Sequence, residues 1–180
     1  MRIALGILVI AGLGRLLYTS ITGQLQGHIQ QTKNITSLYT VKTQQRASTP
    51  GEDIFVYNQS GVEVFSLTSE DPQYFFQLVD TSLIVDLGTS ASQRTVDVYD
   101  IPNKTKIFSS IYYPSDKKSL LVDNRTLHFL YAINTHGLNN PPANAPSCEE
   151  PYNGYVEERT FNLIHHTIDT TGVFTCAYFE

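Results

Sequence analysis

From Asp53 onward the chain alternates apolar and polar residues in short runs, and turn formers break the runs about every 8–12 residues. No stretch after residue 50 carries the spacing of an amphipathic helix. The pattern predicts an all-β fold: a mostly antiparallel sandwich or barrel-like domain of about nine short strands, preceded by an N-terminal apolar helix.

The strands are expected over 54–57, 62–67, 74–79, 83–87, 95–99, 106–113, 120–122, 127–133, 156–168 and 173–179. Asn58-Gln59-Ser60-Gly61 and Asp169-Thr170-Thr171-Gly172 read as hairpin turns between them. Residues 134–154, rich in Asn and Pro, read as a long loop. The expected core is Val56, Val64, Phe75, Ile84, Val96, Val98, Ile107, Ile111, Leu127, Phe129, Phe161, Leu163 and Phe174. A hairpin signature recurs: Val56-Tyr57-Asn58 leads to Val64-Phe65-Ser66, Val98-Tyr99-Asp100 leads to Ile107-Phe108-Ser109, and Ile168-Asp169 leads to Val173-Phe174-Thr175. These segments resemble the blade hairpins of β-propellers, although the residues after position 52 are too few for four blades.

The N-terminus is of another kind. Residues 3–13 (IALGILVIAGL) are uncharged and follow Arg2. A basic start before a short apolar stretch marks a secretory signal or signal-anchor. Ile3, Leu5, Ile7, Leu8, Val9, Ile10 and Leu13 form the expected membrane segment. Arg15 interrupts before the roughly 20 apolar residues of a full span, but can snorkel to an interface. The organisation is therefore 1–21 as signal-anchor or signal peptide, 22–52 as polar stalk, and 53–180 as an extracytoplasmic β domain. The domain is membrane-anchored outside the cytoplasm, or secreted if the signal is cleaved.

Two cysteines, Cys148 and Cys176, suit a disulfide in an exported chain; without CxxC spacing they are no zinc or thioredoxin-type motif. The net charge of −5 argues against a nucleic-acid partner.

Candidate chemistry is sparse. Asp86-Leu87-Gly88-Thr89-Ser90 resembles the phosphate loop of actin-like ATPases and sugar kinases over five residues, with no room for the rest of that fold. Among His28, His128, His136, His165 and His166 there is no metal-binding pair at i, i+4 spacing. His165 and His166 fall on one expected strand, where neighbours point to opposite faces. Glu149-Glu150 and Glu157-Glu158 read as solvated charges. Tyr112, Tyr113, Tyr152, Tyr155 and Tyr178 could form an exposed patch for a glycan or protein partner. Asn34, Asn58, Asn103 and Asn124 each open an Asn-x-Ser/Thr triplet. No residue specifies a cofactor.

The expected function is a non-enzymatic, exported, membrane-tethered β module for binding or structure at the cell envelope. The alternative is a small extracytoplasmic hydrolase using His165 or His166 with an acidic partner. A cleft placing one of these histidines beside Asp or Glu and Ser would favour the alternative. A third reading completes a sheet with another chain through an uncovered edge strand.

Overall fold

A computed structural model describes residues 31–115, 119–133 and 141–179. The expected membrane segment Ile3–Leu13, His28 and His136 lie outside these residues. Among the described residues no helix is long and apolar enough to cross a membrane.

The described chain is all-β, with twelve strands in place of about nine. They are β1 (Gln31–Ile35), β2 (Tyr39–Gln45), β3 (Glu52–Asn58), β4 (Glu63–Leu67), β5 (Gln73–Val79), β6 (Ser82–Leu87), β7 (Arg94–Asp100), β8 (Thr105–Tyr112), β9 (Leu120–Asp123), β10 (Thr126–Ile133), β11 (Gly154–Asn162) and β12 (Thr167–Ala177). They form three four-stranded antiparallel sheets ordered β1-β2-β3-β4, β5-β6-β7-β8 and β12-β11-β10-β9. Every strand thus pairs with its neighbour in sequence.

Two strands, β1 and β2, come from the stretch read as a stalk. Their Gln- and Thr-rich sequence hides them, because β2 buries only Val41 and Thr43. Those two side chains suffice to seat β2 on β3, where Val41 faces Val56 and Thr43 faces Ile54.

The middle sheet is apolar on both faces. Leu83 and Val85 pack with Val41, Ile54 and Val56 of the first sheet. Ile84, Val96 and Val98 point the other way, and pack with Leu127, Phe129 and Phe161 of the third sheet. Phe108 joins that cluster, stacked on Phe161 at 4.1 Å. This two-sided burial explains the continuous apolar run Leu83-Ile84-Val85. Of the expected core, Val56, Ile84, Val96, Val98, Leu127, Phe129, Phe161 and Leu163 are buried; Val64, Phe75, Ile107, Ile111 and Phe174 are half-buried.

The recurring hairpin signature has a structural counterpart in two of its three copies. Its first two copies are β3–β4 and β7–β8, the last two strands of consecutive sheets. The third copy is not a hairpin. Thr171-Gly172 lies within β12 as a bulge, where the β11–β12 register shifts past Glu157. Gly172 has φ +67°, and Thr171 Oγ1 donates to Glu158 O at 2.6 Å. The reversal expected at 169–172 occurs earlier, at 163–166, between β11 and β12. Asn162 Oδ1 caps it, accepting from Ile164 N and His165 N at 2.9 Å each.

Candidate functional site

Among the concavities beside the middle sheet, two gather polar side chains from several elements. The larger is a cleft of about 710 Å³ lined by Gln73, Gly88, Thr95, Asp97, Tyr99 and Lys106, among others. Its floor is a hydrogen-bonded cluster on β7 and β8. The register places Asp97 opposite Ser109 and Tyr99 opposite Lys106. Asp97 is 1% exposed and accepts from Ser109 Oγ at 2.6 Å and Tyr99 OH at 3.1 Å. Lys106 Nζ completes the set at 2.6 Å. A buried carboxylate costs several kcal/mol unless paired and hydrogen-bonded; here three donors meet that cost. Burial and the adjacent Asp97 charge raise the Tyr99 hydroxyl well above the usual phenol range. The floor therefore offers fixed donors and acceptors, with Lys106 half-exposed above them.

On the opposite face of β7, Arg94 Nη2 meets Asp86 Oδ2 at 2.8 Å, and the guanidinium lies 5.4 Å from the Tyr74 ring centre. Burial raises the Asp86 carboxyl, while a hydrogen bond with Tyr112 and the Arg94 charge hold it back. The Asp86-to-Ser90 motif is thus tied up structurally. Its acid pairs with Arg94, and the Gly88 amide donates to Pro72 O at 2.8 Å.

The second concavity measures about 260 Å³ and lies where four hairpin turns of the middle and third sheets converge. Asp80, Ser82, Asp100, Arg125, Ile164 and His166 line it. Backbone bonds lock the turns together: Ile101 N donates to Thr81 O and Leu163 N to Arg125 O, each at 3.0 Å. Three lining residues have left-handed backbone: Asp80 at φ +50°, Arg125 at +61° and His166 at +54°. Asp and His adopt that conformation more readily than most residues. Arg does so at a cost of roughly 1–2 kcal/mol.

The histidines therefore sit differently from expectation. His165 and His166 are turn residues, not strand neighbours. Both are exposed, and His166 also borders the small pocket, with its ring 6.2 Å from Phe161. The pocket does bring His166 beside Asp80, Asp100 and Ser82. No hydrogen bond links Ser82 to His166 among the described residues, so the groups are neighbours without being a dyad.

Other expected residues separate as well. Tyr112 and Tyr155 are buried and Tyr113 half-buried, leaving only Tyr152 and Tyr178 exposed, so the five make no single patch. Glu149, Glu150 and Glu158 are exposed, whereas Glu157 is buried with its carboxylate 2.6 Å from Arg159. Cys148 and Cys176 form the expected disulfide, with Cα atoms 5.7 Å apart. Among the described residues no group of three His, Cys, Asp or Glu could hold a metal ion. Sequence reasoning missed the Asp97 cluster because its partners meet across β7 and β8. The one available signal was an acid alternating with Val96 and Val98.

No protein-family model, curated protein or solved structure matches this chain.

Proposed function

We propose that this chain is a non-enzymatic β module, exported and tethered through residues 1–21, that binds a ligand or partner outside the cytoplasm at the cell envelope. The cleft over Asp97 is its binding site. The Cys148–Cys176 disulfide is the observation in favour of this location, because such bonds persist in oxidising compartments. The cleft supports the binding role. It has the volume of a small-ligand pocket and a rigid floor of mixed donors and acceptors, suited to a polyhydroxylated partner such as an envelope glycan.

The test of location is intact mass after alkylation without reduction, on membrane and soluble fractions of the native host. Membrane-bound, unalkylated chain is expected if the anchor is kept, and soluble, shortened, unalkylated chain if the signal is cleaved. Soluble full-length chain with two alkyl groups would overturn the reading. For the site, Thr95→Trp should fill the cleft and abolish signal on a glycan array. Unchanged signal in that variant, or none with the natural chain, rejects the cleft.

A further inference from the structure

We propose that the small pocket between the hairpin turns is a second binding site, separate from the cleft, and that it takes a carboxylate through Arg125. The argument starts from conformation. Asn124 and Arg125 form the β9–β10 turn with φ +46° and +61°, a two-residue turn whose second position favours glycine. His166 likewise holds a left-handed position at the end of the β11–β12 turn. Strained non-glycine backbone gathers at binding sites, where the side chain is worth more than the relaxed turn. Both of these side chains border the same pocket.

What the fold gains from Arg125 is modest. Its Nε meets Asp80 Oδ2 at 2.6 Å, but the two side chains are 55% and 53% exposed, and a pair so exposed adds little stability. The approach to Asp80 is through Nε. The Nη1 and Nη2 edge is the pair that grips a carboxylate side-on. The pocket rim adds the His166 ring and the Ser82 hydroxyl as further hydrogen-bonding groups. The charge of the ligand follows from the acids. Asp80 and Asp100 line the pocket too and oppose any anion, a phosphate dianion about twice as strongly as a monoanion, so of the two it is the carboxylate that Arg125 can hold. The volume of about 260 Å³ suits a small acid or the carboxylate end of a longer molecule.

The experiment uses the full chain in detergent micelles, with acetate as probe and chloride at equal ionic strength as reference. Binding is read by saturation-transfer NMR of the acetate methyl signal and by the thermal midpoint. Arg125→Gly separates function from structure, because glycine relaxes the turn. The expected result is acetate binding by the natural chain, at least tenfold weaker binding by Arg125→Gly, and an unliganded midpoint in that variant equal to or above the original. A lower unliganded midpoint would make Arg125 a structural partner of Asp80 and overturn the proposal. So would equal acetate binding by both chains, or none by the natural one. Stronger stabilisation by phosphate than by acetate would reject the carboxylate assignment.

Discussion

Asn153 and Phe179 exchange two hydrogen bonds through one side-chain amide: Asn153 Nδ2 donates to Phe179 O and Phe179 N donates to Asn153 Oδ1, both at 2.7 Å. The bracket carries the chain past the end of β12 and presses Phe179 into a cluster with Ala132, Val156 and Ala177. Tyr113 packs on Phe179 at 5.1 Å, and its hydroxyl donates to Tyr178 O at 2.9 Å.

Asn153→Ala removes both bonds and leaves two partly buried backbone groups without partners. The expected loss is about 1–3 kcal/mol. Urea unfolding of the variant checks it; a midpoint matching the natural chain would show that water replaces the amide at no cost.

The disulfide reinforces the same end of the molecule. Its sequence separation is 28 residues, and loop closure of that size stabilises by about 3–4 kcal/mol in the chain-entropy model. Cys176→Ser should therefore unfold at clearly lower guanidinium concentration than the oxidised natural chain. Coincident curves would dismiss the bridge as a source of stability.

Burial, with Asp97 and Asp86 alongside, raises the hydroxyls of Tyr99 and Tyr112 respectively above the ordinary phenol value near 10. The folded chain thus holds protons that the unfolded chain releases. The contribution is full below about pH 10 and declines as pH rises toward the folded values. The melting temperature should fall as pH is raised above about 10. Tyr99→Phe should fall less steeply, and a slope identical to the natural chain rules Tyr99 out as a source.

Asp86 titrates in the same sense at the acid end. Its folded carboxyl is raised from 3.8, chiefly by desolvation, so its ionisation weakens the fold as pH rises through the raised value. Relative to Asp86→Asn, the natural chain should gain stability as pH falls through that range. A stability difference independent of pH between 3 and 7 would contradict this.

At Gly51, φ is +112° and an added Cβ would stand 2.9 Å from Gln73 N, which is backbone and cannot swing aside. Gly172 also has positive φ, but an added Cβ there meets nothing within 4 Å. Gly172→Ala should cost about 1–2 kcal/mol of conformational strain alone. Gly51→Ala should cost more, about 3 kcal/mol or above, because a clash is added. Equal unfolding midpoints for the two variants would remove the clash from the account.

Much of the fold was legible because alternation survives wherever one face of a strand is buried. Val96 and Val98, Leu127 and Phe129 announced themselves in this way. The signal failed at β1 and β2, whose Gln and Thr side chains hide two buried positions, and at 163–172. There Gly172 imitates a turn while serving a bulge, and the true reversal at 163–166 contains neither Gly nor Pro. The disulfide was legible from a count of two. The pocket at Arg125 was not, because its walls come from four turns far apart in sequence and its main clue is a backbone angle.

Pairing each strand with its sequence neighbour also sets the order in which surfaces acquire partners during synthesis. Once β8 has emerged, the middle sheet can settle on the first sheet through Leu83 and Val85. Its opposite face, with Ile84, Val96, Val98 and Phe108, has nothing to meet until β10 and β11 follow. The nascent chain therefore carries a sticky face across the making of some fifty residues, from β8 to the end of β11. That interval is when a chaperone has most to do for this protein, and when crowding of unfinished chains is most hazardous.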